Sequence, residues 1–143
     1  MMYLDSNVFV SAALYTDELG DRAREIVSGV ELGKLKAATS SLTYDEVFWA
    51  VKKFKGRDAA VKAGGAFLSM INLVIVDVDR DVLQRAHGLI SAEGSSLDPR
   101  DAIHAACAFA KEVIEIVSED SDFDSVEGLK RSRIMDFKLP ETK

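Results

Sequence analysis

The feature that most constrains the fold is the alternation of short, apolar, β-branched segments with longer segments of helical periodicity. The clearest short segment is LVIVDV at residues 73–78, which opens with the kind of continuous apolar run found in strands covered on both faces. Strands that alternate with helices predict a parallel sheet between helical layers. Five strands are predicted, at residues 2–5, 35–40, 73–78, 113–118 and 133–137.

The segments between the strands carry apolar residues at helical spacing. The predicted helices cover residues 19–33, 41–54, 57–71, 82–90 and 101–111. The pair Gly64 and Gly65 weakens the third of them and indicates a kink or a close contact with another helix. The last helix, DAIHAACAFAK, is apolar on almost every side, so it is predicted to lie at the centre of the fold.

The chain is predicted to form one domain over residues 1–143. Its length suits a single unit, 48% of its residues are hydrophobic, and no repeat, low-complexity stretch or linker interrupts it. No apolar run approaches the roughly 18 residues of a membrane span, and Asp5 interrupts the N-terminal apolar stretch, so neither a membrane segment nor a signal peptide is expected. The single cysteine, Cys107, excludes an internal disulfide and favours a reducing, cytoplasmic location.

The net charge of −6 and the isoelectric point near 4.9 restrict the partners of the chain. Adhesion to nucleic acid without regard to sequence needs a basic face, which argues against this kind of binding here. Bound divalent cations can supply local positive charge instead. An enzyme that acts on nucleic acid is therefore compatible with the composition.

Four acidic residues are predicted to lie where parallel sheets bind their ligands, at the carboxyl ends of the strands. Asp5 ends the first strand, and Asp120 lies just beyond the fourth. Glu46 is in the first turn of the helix entered from the second strand, and Asp101 is in the first turn of the apolar helix before the fourth. Carboxylate oxygens select Mg²⁺ or Mn²⁺ over Zn²⁺, and no cysteine or histidine ligand spacing competes with this interpretation.

Each acid also has a purely structural interpretation, as part of a helix cap or a turn. These interpretations are Asp5 as the cap of the next helix, Thr43 with Glu46 as a capping box, Asp98 with Asp101 at a helix start, and Asp120 to Asp124 as a solvated turn. The structural interpretations are nearly independent of one another. None of them predicts that all four acids lie at the same end of the sheet.

Four motifs resemble those of the PIN domain family, in particular those of the VapC-type toxin ribonucleases. The motifs are YLDSNVF from residue 3, TYDEVFWA from residue 43, LDPRDAIHAA from residue 97 and IVSEDSDFDSVEGL from residue 116. They follow the family's order, and the resemblance spans residues 3 to about 137. It implies a single PIN-like nuclease domain of the α/β class, with a central parallel five-stranded sheet flanked by helices on both faces.

The resemblance also implies roles for individual residues. The metal-binding, catalytic acids would be Asp5, Glu46, Asp101 and Asp120, and the supporting polar residues would be Asn7, Ser118 and Asp122. The chain departs from the family at the sequence SED, where Thr-Asn-Asp is usual. Ser118 keeps the hydroxyl group, whereas Glu119 adds a charge that the pattern does not need.

The implied function is Mg²⁺- or Mn²⁺-dependent hydrolysis of RNA by an endoribonuclease, the toxin of a toxin–antitoxin pair. The implied partners are the RNA substrate, a second copy of the chain in a homodimer, and a small antitoxin protein. A catalytically silent PIN-type scaffold or RNA-binding protein is an alternative, but it would be expected to lack some of the acids that this chain retains. An aspartyl phosphotransferase is a third, but it usually has a second acid two residues after Asp5, where this chain has Asn7.

Two groups of residues are predicted to meet partners. The first is a basic cluster, which would contact RNA phosphates or form a solvated helix end; it comprises Lys52, Lys53, Lys55 and Arg57. A second basic cluster, KRSR, covers residues 130–133. The second group consists of large apolar residues that exceed what a small core accommodates and so favour a homodimer; it comprises Phe48, Trp49, Phe54 and Phe67.

Several residues near the acids are predicted to have structural roles. His104, one turn beyond Asp101, invites a general-base role, but a histidine on the helix surface is the preferred interpretation. Phe123 is predicted to anchor the acidic turn in the core. Asp124 and Glu127 are predicted to be solvated.

Overall fold

The computed structural model describes residues 1–141 of the chain, so the last two residues of the predicted domain lie outside the described range. The strands are β1 (Met2–Leu4), β2 (Ala37–Ser40), β3 (Leu73–Val76), β4 (Glu115–Val117) and β5 (Lys130–Ser132). The helices are α1 (Ser6–Leu14), α2 (Glu18–Glu31), α3 (Leu42–Lys55), α4 (Arg57–Leu68), α5 (Arg80–Ser91) and α6 (Pro99–Ala110). A short 3₁₀-helix at Ser121–Ser125, here named the acidic turn, lies between β4 and β5. Within residues 1–141, no helix combines the length and the apolar character that a membrane crossing requires.

The five strands form one sheet in the order β3-β2-β1-β4-β5, and every neighbouring pair is parallel. Tyr3 of the central strand is paired with Ala38 on one side and with Ile116 on the other. Parallel neighbours need a crossover connection, and helices supply it between β1 and β4. This arrangement confirms the predicted parallel five-stranded sheet.

Both faces of the sheet are covered by helices. Successive side chains of a strand point to opposite faces, and accordingly Tyr3 and Ile116 pack with α5 and α6, whereas Leu4 and Val117 pack with α1 to α4. These four residues are fully buried, with 0% of each side chain's surface exposed. The central strands are thus covered on both faces. The prediction that the LVIVDV segment is covered on both faces is wrong, because β3 lies at the edge of the sheet and Val74 is 36% exposed.

Helix α6 lies in the core, as its sequence predicts. Ala102, Ala105 and Ala106 are 0% exposed, and so is Cys107. Small side chains on three sides of the helix let its backbone approach the sheet and α5 closely. The first turn of α6 is thereby held in a fixed position at the carboxyl end of the sheet.

The prediction of a fifth strand at residues 133–137 is wrong, because β5 lies earlier, at Lys130–Ser132. After β5 the chain turns, and the amides of Asp136 and Phe137 donate to the carbonyl of Arg133 at 3.1 and 3.0 Å. Ile134 is fully buried, which explains the apolar pattern that resembles a strand. β5 pairs only with β4, so it is an edge strand, and its polar side chains carry no apolar signal.

Three further features of the helices are an unpredicted first helix, the break between α3 and α4, and the close helix contact that is one of the two predictions from the Gly64–Gly65 pair. Helix α1 was not predicted, although Asp5 was considered as its cap. Gly56 has φ +89°, a left-handed conformation that favours glycine, and it separates α3 from α4. Gly64 marks a close helix contact, because a Cβ atom there would lie 2.9 Å from Cε2 of Tyr44.

Phe123 is the residue that fixes the acidic turn to the core, since its ring is 0% exposed and packs in the cluster of α5 and α6. Phe123→Ala is expected to lower the free energy of unfolding by about 3–5 kcal/mol, because it leaves a cavity that its neighbours cannot fill. Urea unfolding followed by circular dichroism would measure the loss. The matched control is Phe54→Ala on α3, where the ring is 70% exposed and a change below about 0.5 kcal/mol is expected. Equal losses in the two variants would contradict the anchoring role.

Candidate active site

Three carboxylates meet at the carboxyl end of the sheet. Asp101, Asp120 and Asp122 each offer an oxygen, and these oxygens lie within 4.8 Å of one another. Asp101 is the third residue of α6, whereas Asp120 and Asp122 lie at the start of the acidic turn after β4. We call these three residues the acid triad. It contains two of the four predicted catalytic acids and one predicted supporting residue.

Local hydrogen bonds explain how Asp101 and Asp120 are positioned. Asp98 caps α6 by accepting from the amide of Asp101 at 3.0 Å, and Pro99 begins the helix, as predicted. Asp120 Oδ1 accepts from the amide of Asp122 at 2.9 Å and caps the acidic turn. The predicted helix start at Asp98 is thus confirmed, Asp120 caps the turn after β4, and Asp101 and Asp120 lie close together at one end of the sheet. Oδ2 of Asp101 is buried and has no hydrogen-bond partner within residues 1–141.

The acidic turn is tied to β5 by an ion pair. The Nε and Nη2 atoms of Arg131 donate to Oδ1 and Oδ2 of Asp124 at 2.9 and 3.0 Å. Nη1 donates to the carbonyl of Ser118 at 3.1 Å, and the hydrogen bonds from Arg131 lower the pKa of Asp124. The prediction that Asp124 is merely solvated is therefore wrong, whereas Glu127 is exposed as predicted.

The remaining charges around the turn also have structural partners. Oε1 of Glu119 accepts from the amide of Ile134 at 2.7 Å, which accounts for the charge that the family pattern does not need. Arg133 donates to Asp136 at 2.8 Å. Both arginines of the second basic cluster are thus engaged in ion pairs on the protein's own surface.

Asp5 is buried directly after β1, and its two oxygens have different partners. Oδ1 accepts from the amide of Ser6 at 2.7 Å, which confirms that Asp5 caps α1. Oδ2 accepts from Ser118 Oγ at 2.6 Å and from Asn7 Nδ2 at 3.1 Å. Burial raises the pKa of Asp5, although the neighbouring His104 and the hydrogen bond from Ser118 oppose this shift.

Ser118 joins the end of β1 to the acidic turn. Besides donating to Asp5, its hydroxyl accepts from the amide of Asp120 at 3.0 Å and from Asn7 Nδ2 at 3.2 Å. Ser118 therefore makes hydrogen bonds with the hydroxyl group that it shares with the threonine usual at this position in the family. Nδ2 of Asn7 donates to Asp5 and to Ser118, whereas its Oδ1 atom is buried and has no hydrogen-bond partner among the described residues.

His104 is the residue of this region that the sequence reasoning misplaced. It is 1% exposed, and its Nδ1 atom lies 2.7 Å from the hydroxyl of Tyr3. Its Nε2 atom lies 2.6 Å from Oε1 of Glu46 and 3.5 Å from Oδ1 of Asp5. Because a carboxylate only accepts, Nε2 carries a hydrogen and links the two acids. The apolar residues on both sides of His104 were the signal that could have indicated its burial.

Glu46 joins the site through His104, whereas it is not part of the acid triad. The capping-box alternative is wrong, because α3 begins at Leu42 and its N-cap makes no side-chain hydrogen bond. Thr43 instead turns inward, and its hydroxyl lies 2.8 Å from that of Thr39. The structure thus gathers the four predicted acids as two in the triad and two around His104.

The electrostatics of the site favour bound positive charge. Burial raises the pKa of Asp101 to about 8, and the neighbouring carboxylates of Asp120, Asp98 and Asp5 add to the shift. Burial alone would lower the pKa of His104, but the hydrogen bond that His104 donates to Glu46 and the charge of Asp5 raise it overall. Without a cation, the site retains protons that its carboxylates would otherwise release.

The residues fit a hard divalent cation. Carboxylate oxygens are the ligands that Mg²⁺ and Mn²⁺ prefer, and the triad brings three of them together. The unpartnered Oδ2 of Asp101 is an acceptor that a cation would satisfy. Burial is the main cause of the raised pKa of Asp101, and the charges of the neighbouring acids add to the shift. A metal ion would relieve the repulsion among these acids, as a proton does.

The predicted RNA-binding cluster lies at the junction of two helices. Lys52, Lys53 and Lys55 are in the last turn of α3, and Arg57 begins α4. The Nζ atom of Lys53 lies 5.2 Å from the centre of the Trp49 ring. The exposed positions of these cations are compatible with either the phosphate-binding or the solvated interpretation.

The large apolar residues divide between the core and the surface. Phe67 is 3% exposed, whereas Trp49 and Phe54 are 63% and 70% exposed. The expectation that the core does not accommodate all four rings is therefore correct. Phe67 itself is a core residue of the face covered by α1 to α4 and does not contribute to a surface.

Known proteins share both the sequence pattern and the fold. No curated protein sequence matches the chain, but the PIN domain family matches residues 2–129. The fold is similar to that of VapC20 from Mycobacterium tuberculosis, described as a toxin that cleaves the sarcin–ricin loop. The two sequences are 18% identical, the match covers 87% of this chain and 94% of that chain, and the TM-score is 0.72.

Two toxin–antitoxin structures are similar to the same extent. VapBC2 from Rickettsia felis, bound to a DNA fragment of its promoter, has 21% identity over 93% of this chain and 98% of that chain, with a TM-score of 0.71. DNA-bound VapBC from Salmonella typhimurium has 18% identity over 93% and 97% of the two chains, also with a TM-score of 0.71. The fold thus matches VapC structures, and the family match over residues 2–129 shows that the chain belongs to the PIN domain family.

Proposed function

We propose that the chain is a Mg²⁺- or Mn²⁺-dependent endoribonuclease and the toxin of a toxin–antitoxin pair. The observation that carries the proposal is the acid triad, whose oxygens lie within 4.8 Å of one another at the carboxyl end of the sheet. Membership of the PIN domain family and the fold shared with VapC20, a toxin described as cleaving the sarcin–ricin loop, support it.

The residues of the site have separate tasks in this proposal. Asp101 and Asp120, with Asp122 in support, would hold the cation from α6 and the acidic turn. Asp5 and Glu46 complete the acid set from β1 and α3, and His104 holds them in place. A divalent cation in such a site supplies Lewis-acid chemistry, stabilising charge on the phosphate and making a water molecule more acidic.

The alternative functions are less well supported. A silent scaffold has no use for a buried, unpartnered Asp101 Oδ2, which costs free energy in the absence of a ligand. An aspartyl phosphotransferase would need Asp5 as an accessible nucleophile. Asp5 is instead buried, and both of its oxygens accept hydrogen bonds from Ser6, Ser118 and Asn7.

We further propose a small antitoxin as a partner and a homodimer as the assembly. An apolar cavity of about 360 Å³, lined by Phe9 and Val27 among others, lies between α1, α2 and α4 and could receive side chains of a partner. The VapBC structures that share the fold are toxin–antitoxin complexes. The homodimer is supported by Val61, Leu68 and Ile71, which are 53%, 61% and 66% exposed on and just after α4.

Cleavage of RNA is expected in Mg²⁺ or Mn²⁺ and is expected to stop in excess EDTA. Attack by water should leave 5′-phosphate and 3′-hydroxyl ends, which end-labelled RNA on a sequencing gel would identify. Asp101→Asn is expected to lower the cleavage rate by about 100-fold or more, because the amide lacks the charge that holds the cation. The control is Glu127→Gln, an exposed acid in the same region. Cleavage that persists in EDTA, or 2′,3′-cyclic phosphate ends, would contradict the proposal.

A divalent cation is expected to stabilise the native protein against heat. At about 100 times its dissociation constant it adds roughly 2.7 kcal/mol, which corresponds to roughly 5–10 °C in melting temperature for a chain of this size. The shift should be larger at pH 8 than at pH 6, because a proton on Asp101, whose pKa is raised to about 8, competes with the cation. Thermal melts with Mn²⁺ and with EDTA would measure it.

The variant that tests the ligands is Asp120→Asn, which should reduce the metal shift and leave the metal-free protein no less stable, since one repulsive partner is gone. Its matched control is Asp124→Asn in the same turn, where the carboxylate pairs with Arg131. This control should keep the metal shift. Equal shifts in wild type and Asp120→Asn would mean that Asp120 does not bind the cation.

The homodimer is expected to show a mass of twice 15.6 kDa by light scattering at tens of micromolar. Leu68→Glu is expected to shift the mass towards the monomer, because it places a charge in the exposed apolar surface of α4. Leu83→Glu on α5, where the side chain is also exposed, is the matched control and should remain dimeric. A monomer mass for the wild-type chain would remove the dimer from the proposal.

A further inference from the structure

A small cavity adjoins the acids on the side of α3. We propose that this cavity is a nucleobase subsite, in which the ring of Trp49 stacks on one unpaired base of single-stranded RNA beside the cleaved phosphodiester. The inference rests on the proposed ribonuclease function and adds the class of substrate and the residue that contacts it.

The cavity is continuous with the candidate active site. It has a volume of about 190 Å³, and its lining includes Asn7 and Glu46, both of which belong to the hydrogen-bond network around Asp5 and His104. It is smaller than the roughly 300–1,000 Å³ of sites for drug-sized ligands. A ligand fragment with one ring system suits this volume, and a fragment placed there lies against Glu46 and Asn7 of the candidate site.

Trp49 supplies an aromatic wall of the cavity. It is the only tryptophan of the chain, it lies one turn beyond Glu46 on α3, and it is 63% exposed. A single exposed aromatic residue needs no explanation in itself. An exposed ring beside a cluster of phosphate-processing acids is different, because base stacking on aromatic side chains is the common means of holding single strands.

Two cations flank this ring, as a polyanionic ligand requires. Arg100 lines the cavity next to Asp101, and it forms no salt bridge with any residue in the range 1–141. The ammonium group of Lys53 lies 5.2 Å from the centre of the Trp49 ring. The phosphates on either side of a stacked base would therefore meet positive charge, although the chain as a whole is acidic.

Acceptor groups in the cavity suit the edge of a base. Asp45 and Asn7 both line the cavity. The Oδ1 atom of Asn7 is buried and has no hydrogen-bond partner among the described residues. Amino groups on the edges of adenine, cytosine and guanine are donors of the kind that such oxygens accept. The cavity thus combines a stacking surface, acceptors for a base edge and cations for the backbone.

The competing occupant is an apolar side chain of a protein partner. The observations favour RNA, because a hydrophobic protein contact would bury the charges of Arg100 and Asp45 on the same wall without a described partner for Arg100. Continuity with the acids also favours the substrate over a remote partner. The kinetics of RNA cleavage and the mass of Trp49→Ala distinguish an RNA base from a protein side chain as the occupant.

The first test is the kinetics of RNA cleavage in Mn²⁺ by full-length variants. Trp49→Ala is expected to raise KM about tenfold and change kcat less than about threefold, because stacking on a base away from the reacting atoms is lost equally in the ground and transition states. Trp49→Phe should restore most of the loss. The matched control is Phe54→Ala, an equally exposed ring on α3 that also neighbours Lys53 but does not line the cavity, and its KM should change less than about threefold.

The second test locates the stacked base. RNA with a single abasic nucleotide, moved along the strand, should raise KM about tenfold at one position beside the cleaved bond for the wild type. Trp49→Ala should show no additional loss at that position, since the interaction is already absent. Because Trp49 is the sole tryptophan, its fluorescence in Asp101→Asn, which is expected to cleave RNA slowly, should be quenched by intact RNA and not by RNA that is abasic at this position.

Three outcomes would overturn the inference. If the wild type cleaves RNA, and Trp49→Ala and Phe54→Ala have equal KM values, the subsite is refuted while the ribonuclease function stands. Normal RNA kinetics combined with an altered mass of Trp49→Ala would assign the ring to a protein interface instead. No metal-dependent cleavage of any RNA by the wild type would refute the proposed function, and the subsite with it. Thermal melts should show that Trp49→Ala folds normally, as its exposure leads us to expect.

Discussion

Repulsion among carboxylates at the carboxyl end of the sheet is the constraint on which the rest of the structure depends. Burial raises the pKa of Asp101 to about 8, and repulsion from the neighbouring acids adds to this shift. A chain keeps such an arrangement only if other interactions hold each acid in place. The apolar helix α6 holds Asp101, the buried ring of Phe123 holds the turn that carries Asp120, and β1 at the centre of the sheet carries Asp5. The rigid core therefore maintains an arrangement that the acids themselves oppose.

The acids are positioned by the same hydrogen bonds that begin the helices. Asp5 caps α1, Asp98 caps α6 just ahead of Asp101, and Asp120 caps the acidic turn. Capping satisfies backbone amides that would otherwise lack partners. It uses one carboxylate oxygen, so the second oxygen of Asp120 remains available to the triad. For these segments, the structural interpretation does not exclude the proposed functional one, since a residue that caps a helix or turn also lies at the candidate site.

The sequence allowed the central elements and most of the site to be predicted, because their signals are local. Strands buried on both faces are continuously apolar, and acids that follow such strands must lie at the same sheet edge. The misplaced strand β5 carries no such signal, since the residues of Lys130–Ser132 are polar. His104 and Glu46 are 58 residues apart, and their contact depends on how α3 and α6 cross the sheet. The ion pair between Arg131 and Asp124 likewise depends on β5 lying beside the acidic turn, which the sequence did not predict.

The charge distribution has a consequence for the proposed nuclease. Five carboxylates surround the place where an RNA phosphate would lie, so the metal-free site repels its substrate. A bound cation reverses that interaction, and by linkage RNA must then strengthen cation binding by the same factor. Arg100 and Lys53 lie beside the cavity of Trp49, outside the acid triad, where they attract the strand whether or not the cation is bound. Stacking on Trp49 involves no net charge, so its contribution to RNA binding is the part least sensitive to salt, whereas the phosphate contacts weaken as salt rises. In the proposed nuclease, the acid triad that would hold the cation lies on α6 and the acidic turn, whereas Trp49, which would hold the base, is exposed on α3, one turn beyond Glu46.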